Sequence, residues 1–367
     1  MSVRLEHIMK TFDGVVAVSD VSFEIADGEL VTILGPSGCG KTTVLRIIAG
    51  LELQDQGNVY IDGNRINHVP TQNRNVGFVF QTYSLFRYMS VLENVEFGLK
   101  MRKVSKSKRR MKALDLLELV GLKGFEKRLP HALSGGQRQR ISLARALAYD
   151  PSTLLLDEPF GALDAKIRKR LAIDLKRIQR DLKITTLFVT HDQAEALELG
   201  DRIIIINRGK VEQIGSPEEI YDHPRTRFVA SFVGMVNVLD GKIFGRKARL
   251  GSLEIDLVMG PEKMPYQDGD NIAVLIRPED VLIANEEGEG LFGGTVRDVR
   301  FLGSYVELEI ECGAICIKAI ETKSNLQRWN LKTSDDIKFN LRSSRIFKLS
   351  EDIENVRERL MTLGYIE

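Results

Sequence analysis

The sequence predicts two domains, an α/β core of buried strands with a helical segment inserted into it, then a small β-barrel. Three observations predict this. Apolar strand-like runs alternate with helical periodicity over the first two-thirds of the chain, as in layered α/β folds. Between residues 81 and 150 the strand pattern gives way to helical spacing. Beyond about residue 234 only short alternating runs punctuated by Gly remain, which is the pattern of a small all-β unit. At 367 residues the chain is also too long for one compact core.

Each element follows from local chemistry. Residues 30–34, Leu-Val-Thr-Ile-Leu, form a continuous apolar strand buried on both faces. A Gly-rich loop follows, then a helix over 43–49 that Gly50 stops. Residues 76–80, 153–156 and 186–189 read as further strands, each running into a polar residue, and the brief apolar run 203–206 is another. Helical spacing covers 111–120 and 137–148. Ser216-Pro217-Glu218-Glu219 marks a helix start, with Ser216 as cap, Pro217 in the first turn and Glu219 reaching back. That helix and the segment 225–233 close the first domain, placed at 1–235, with its helical subdomain at about 82–150. The second domain, 236–367, holds strands at 253–257, 272–276, 305–310 and 315–319. It ends in an amphipathic helix with Ile353, Val356, Leu360 and Leu363 on one stripe.

Composition excludes several classes. A formal net charge of +1 gives no bulk electrostatic reason to bind nucleic acid. The basic stretch 100–112 has no interleaved aromatics for base stacking and reads as a solvated loop entering a helix, with attraction to anionic lipid as an alternative. Cys39, Cys312 and Cys316 are too few for a disulfide framework and point to a reducing compartment. Cys312 and Cys316 have no neighbouring His or Cys to complete a metal site. The N-terminus has no apolar signal core, and no run approaches the length that spans a bilayer. A cytosolic chain is expected, with any membrane role supplied by a partner.

The residues 35–42, Gly-Pro-Ser-Gly-Cys-Gly-Lys-Thr, fit the phosphate-loop pattern Gly-x-x-x-x-Gly-Lys-Ser/Thr. Gly35, Pro36, Ser37, Gly38, Cys39 and Gly40 let successive N–H groups turn inward around an anion, and the helix opening at Lys41-Thr42-Thr43 offers its positive end. Lys41 reaches for the β- and γ-phosphates of ATP, and the Thr42 hydroxyl suits Mg²⁺. Asp157 and Glu158 end the strand 153–156, 116 residues beyond Lys41. Asp157 is placed to hold Mg²⁺, and Glu158 to polarise an attacking water as general base. Ser134-Gly135-Gly136-Gln137 opens a helix. Ser134 suits a helix cap, but two glycines weaken helix nucleation, so a second anion site at a helix N-terminus is the better reading.

These motifs in this order resemble the ATP-binding cassette (ABC) family. The resemblance implies ATP with Mg²⁺ sandwiched between two copies of the chain, with Ser134, Gly136, Gln137 and Asp164 of one copy facing the phosphate loop of the other. It further implies that Gln81 touches Mg²⁺ and the attacking water, that His191 contacts the γ-phosphate as the switch His, and that adenine stacks on Phe12. Gly161 stands where the broad family has Ser, a departure that the importers of the family commonly share. The residues 275–280 and 294–303 look like the transport-associated OB-type (TOBE) domain of ATPase subunits in bacterial binding-protein-dependent importers. The residues 80–89, 162–169 and 233–239 look most similar to sulfate/thiosulfate importers, whereas the barrel matches them less well at Glu279. Ferric-iron, polyamine, phosphonate and sugar importers share the framework.

The implied partners are a second copy, two integral-membrane permease subunits met through residues 83–91 and, indirectly, an extracytoplasmic solute-binding protein. The implied location is peripheral, at the cytoplasmic face of the bacterial inner membrane, with the barrel as a regulatory module. Two alternatives weigh less. A non-transport ABC ATPase of DNA repair or chromosome structure carries a long insertion for which 116 residues leave no room. A nucleotide-binding regulator without hydrolysis would lack competent catalytic residues, which are all present here.

Overall fold

A computed structural model describes residues 2–161, 163–256, 267–284, 292–342 and 345–348, with backbone only for Arg328 and for 345–348. The stripe formed by Ile353, Val356, Leu360 and Leu363 lies outside the described residues. The chain divides into two compact units, Met1–Asp222 and His223–Glu367.

In the first unit, β1 (Val3–Phe12) and β2 (Val15–Ile25) form an antiparallel pair. Next come β3 (Leu30–Leu34), α1 (Lys41–Ala49), β4 (Gln56–Ile61), β5 (Asn64–Arg65) and β6 (Val76–Val79). The helical insertion consists of α2 (Val91–Met101), α3 (Lys106–Leu119) and α4 (Gly135–Leu147). The chain returns through β7 (Thr153–Asp157), α5 (Ala165–Leu182), β8 (Thr185–Thr190), α6 (Gln193–Leu199), β9 (Arg202–Asn207), β10 (Lys210–Gly215) and α7 (Pro217–Asp222).

Two sheets result. One is antiparallel, in the order β2-β1-β4-β5. The other has six strands in the order β10-β9-β3-β8-β7-β6, parallel except for β10. The six-stranded sheet separates two cores, and the period-2 alternation of each strand feeds both. Along β7, Leu154 and Leu156 join the α2–α5 core, whereas Leu155 joins α1 and the antiparallel sheet. Burial on both faces is why these strands read as continuous apolar runs. The parallel arrangement also gathers the carboxyl ends of β3, β6, β7 and β8 at one edge.

The antiparallel sheet β2-β1-β4-β5 has no counterpart in the expected elements. Its strands are irregular: β1 shifts register against β2 at three places, and His7 takes a positive φ of 50°. Each shift moves the apolar set to the other phase, so the sequence shows no clean alternation.

The second unit opens with α8 (Arg227–Phe232) and continues with β11 (Asn237–Phe244), β12 (Lys247–Leu250), β13 (Leu253–Asp256), β14 (Asn271–Ile276), β15 (Val281–Ala284), β16 (Phe292–Phe301), β17 (Tyr305–Cys312) and β18 (Ile315–Thr322). It ends with α9 (Lys323–Trp329), β19 (Asp336–Leu341) and β20 (Arg345–Lys348). The expected small β-unit takes the form of two five-stranded antiparallel sheets, β13-β12-β11-β14-β20 and β15-β19-β16-β17-β18, around one shared core. The division at Asp222 falls ahead of the expected boundary at 235 because α8 belongs with the second unit. Ala230 packs on Ala273 and Leu275, and the Arg277 guanidinium donates to the carbonyl oxygens of Ala230 and Met235. Among the described residues, no helix is long and apolar enough to cross a membrane.

Candidate nucleotide-hydrolysis site

The loop between β3 and α1 is held open by its glycines. Gly40 precedes the helix at φ 104°, and a Cβ there would run into the carbonyl oxygen of Ala17 on β2. No other residue combines that conformation with that contact. No side chain caps α1, so its first N–H groups remain available to an anion at the loop. Lys41, Thr42 and Thr43 form its first turn. The Lys41 ammonium is buried and donates to the Gly35 and Pro36 carbonyl oxygens at 2.8 Å each, spanning the loop. Cys39 turns its thiol into the core, so any share it takes in holding phosphate is through its backbone.

Asp157 is the last residue of β7 and is buried, and the Thr42 hydroxyl donates to its Oδ1 at 2.8 Å. Burial pushes the Asp157 carboxyl above the usual carboxylate range, against the pull of the Thr42 bond and the Arg46 charge. Glu158 follows at φ 42°, in the left-handed region, with its N–H on the Val189 carbonyl oxygen at 3.0 Å. That turn aims its carboxylate out of the sheet edge. The same Oε2 lies 3.1 Å from Gln81 Nε2, just past β6, and 3.2 Å from His191 Nδ1, just past β8. Three strand ends thus bring Gln81, Glu158 and His191 together, beside the Thr42–Asp157 pair.

Hard oxygen donors suit Mg²⁺, which is typically held by one or two carboxylates together with substrate phosphates. The Thr42 hydroxyl and the Asp157 carboxylate fit that pattern. No cluster of three or more His, Cys, Asp or Glu that would make an all-protein metal cage occurs among the described residues.

The other expected residues stand elsewhere. Ser134 caps α4 in a reciprocal box with Gln137: its Oγ accepts from Gln137 N–H, and Gln137 Oε1 accepts from Ser134 N–H at 3.0 Å. Gly135 and Gly136 have a packing reason as well as the anion-site reason. A Cβ at Gly135 would meet Leu163 at 2.8 Å, and one at Gly136 would meet Ile167 at 2.9 Å. Asp164 caps α5 by accepting from Ile167 N–H at 3.0 Å. Phe12 sits half-exposed on the β1–β2 hairpin, with the Lys10 ammonium 5.0 Å from its ring centre.

One group of residues around the site has no place among the sequence expectations. The Thr190 hydroxyl donates to buried Glu195 at 2.6 Å and accepts from Asp192 N–H at 3.0 Å. Asp192 caps α6 and pairs with Arg168 at 2.8 Å. The readable signal was the spacing Asp192-x-x-Glu195 behind His191, a helix-start pattern. Its link to Arg168 is long-range and invisible in sequence.

Fold and site together define a phosphate-loop ATPase of the ABC type. A family model described as "ABC transporter" matches residues 18–161, and one described as "TOBE domain" matches residues 274–332. The chain is 48% identical over 315 residues to a sulfate/thiosulfate import ATP-binding protein of Chromobacterium violaceum, covering 85% of this chain and 86% of that protein. A protein of the same name in Gloeobacter violaceus is 43% identical over 349 residues, covering 95% and 96%. A spermidine/putrescine import ATP-binding protein of Desulfitobacterium hafniense is 44% identical over 322 residues, covering 86% and 89%. Among solved structures, a dimeric bacterial ABC transporter cassette matches with TM-score 0.54 and 38% identity over 59% of this chain and 98% of that one. A dimeric ATP-binding cassette in a post-hydrolysis state, bound to ADP and Pi, matches equally. This chain belongs to the family of ABC transporter ATPases with a TOBE domain.

Proposed function

We propose that this chain hydrolyses ATP to drive a membrane importer of sulfate or thiosulfate, working as a homodimer with two nucleotides clasped at its seam. The observation that carries the hydrolytic reading is the Glu158 carboxylate held between Gln81 and His191, beside the Thr42–Asp157 pair. In this reading Lys41 leaves the loop carbonyls for the β- and γ-phosphates. Thr42 and Asp157 hold magnesium, which when bound neutralises charge on the phosphates. Glu158 takes the proton of the attacking water, which Gln81 touches together with the magnesium, and His191 contacts the γ-phosphate.

Ser134, Gly136, Gln137 and Asp164 serve the neighbouring copy. Each γ-phosphate is then held from both chains, which supplies the differential affinity that favours the closed dimer until hydrolysis removes it. Phe12, exposed on its hairpin, offers a face to adenine. The segment 83–91 meets the permease at the cytoplasmic face of the membrane. Tyr88 there is 97% exposed, and buried Asn94 fixes the loop from within.

The solute is inferred from the relatives named for sulfate/thiosulfate, and the polyamine-named relative supports the second reading. Deleting the gene in its own cell separates them. Loss of radiolabelled sulfate uptake with spermidine uptake intact is expected, whereas the reverse pattern would transfer the chain to polyamine import.

A further inference from the structure

The loop after Glu158 and the loop carrying His191 are bound to each other through one side chain, Arg168, one turn into α5. Its guanidinium donates to the Leu163 carbonyl oxygen at 3.1 Å and to Asp192 Oδ2 at 2.8 Å, and its Nε lies 3.5 Å from Glu195 Oε1. The two acids belong to the hydrogen-bonded bracket that Thr190 and Asp192 form on either side of His191. Asp192 Oδ1 accepts from Glu195 N–H at 3.1 Å, and Glu195 Oε2 accepts from the Thr190 hydroxyl. Glu195 and Thr190 are buried, so this bracket has little freedom to rearrange around a lost partner.

At its other end Arg168 holds the Leu163 carbonyl oxygen. Leu163 is buried, with its side chain directly against Gly135, next to Ser134. A shift of the Ser134 segment therefore presses on Leu163, whose carbonyl oxygen is bonded to Arg168. A guanidinium with its donors in a fixed fork passes that shift to Asp192, which a single-point ammonium does less well.

We infer that Arg168 is a positioning residue for hydrolysis, setting His191 against Glu158 according to where Leu163 and the Ser134 segment sit. The inference rests on the reading of His191 as a hydrolytic residue. The bonds of the Arg168 guanidinium run to Leu163, Asp192 and Glu195, outside the phosphate loop, so its loss slows turnover and leaves ATP binding at that loop intact.

The test uses the full chain and single-turnover release of radiolabelled phosphate, with ATP affinity and melting temperature measured alongside. Arg168→Gln is expected to lower the hydrolysis rate by about 10- to 100-fold, the scale of a small misplacement at a reacting centre, with ATP affinity unchanged. Arg168→Lys, which keeps the charge facing Asp192 and Glu195, should fall between Arg168→Gln and the parent. It also carries the test if Arg168→Gln does not fold. Combined with His191→Ala, either Arg168 change should cost nothing further, because both act through the same imidazole. Losses that multiply, a parental rate in Arg168→Gln, or a fall in ATP affinity matching the fall in rate would each overturn the inference while leaving His191 in its role. Parental hydrolysis in His191→Ala alone would remove that role, and the inference with it.

Discussion

The carboxylate of Glu158 and the imidazole of His191 meet at 3.2 Å, although they stand 33 positions apart in the chain, because β7 and β8 are parallel neighbours. The pairing gives Glu158 an oriented partner on one side while Gln81 holds the same oxygen from the other. Glu158→Gln removes the proposed base and keeps the shape, so phosphate release should fall by about 10²–10⁴-fold with ATP binding retained. His191→Ala should fall by about 10²-fold, the cost of one oriented polar group at a developing charge. A phosphate-release assay at saturating ATP reads both.

Asp157 carries a cost that its proposed metal would relieve. Its carboxyl is held above the usual range by burial, so the folded chain binds that proton more tightly than the unfolded one. Its contribution to stability is full at pH below the unfolded carboxylate value and is lost as pH rises through the raised folded value. Asp157→Asn should therefore melt higher than the parent at neutral pH without magnesium, and the difference should close as pH falls into the carboxylate range. The same variant should lose the magnesium dependence of ATP binding. Melting curves across pH, with and without magnesium, check both signs.

Asn94 is fully buried. It accepts from Phe86 N–H at 2.8 Å and donates to the Phe86, Met89 and Ser90 carbonyl oxygens. Asn94→Ala strands those groups, at about 1–3 kcal/mol for a buried unsatisfied partner. The expected result is a lowered melting midpoint in denaturant, with ATP affinity at the phosphate loop preserved.

The three thiols should separate by exposure. Cys316 is exposed, whereas Cys39 and Cys312 are buried. Burial raises all three, Cys312 to about 11, so the reactive thiolate is scarce at neutral pH and grows as pH rises. Titration of the folded chain with a chromogenic disulfide should show one reacting thiol whose rate climbs with pH, and three after unfolding.

The strands that carry the site were legible because doubly buried parallel strands leave uninterrupted apolar runs. The polar residue at the end of each run then marks the edge where chemistry sits. Gln81, Glu158 and His191, which the fold brings together, were singled out that way, with the family resemblance assigning the first and last. The antiparallel sheet was not legible, since the bulges of β1 break the alternation that would announce it.

The boundary near residue 222 was hidden for another reason. Val229, Ala230 and Phe232 are apolar enough to join either core, and only the distant Arg277 and Leu275 decide which. Arg168 stood in a recognised stretch, but its meaning depends on Asp192, 24 residues away. Pairings of that kind exist only in the fold.

In the proposed mechanism ATP is shared at the seam between two chains. Sedimentation velocity of Glu158→Gln at saturating ATP and magnesium addresses it most directly, since binding there proceeds and turnover does not. A species of twice the single-chain mass, returning to the single-chain mass when Ser134→Arg is added, is predicted. A species of single-chain mass under saturating nucleotide, or a dimer indifferent to Ser134→Arg, would contradict it.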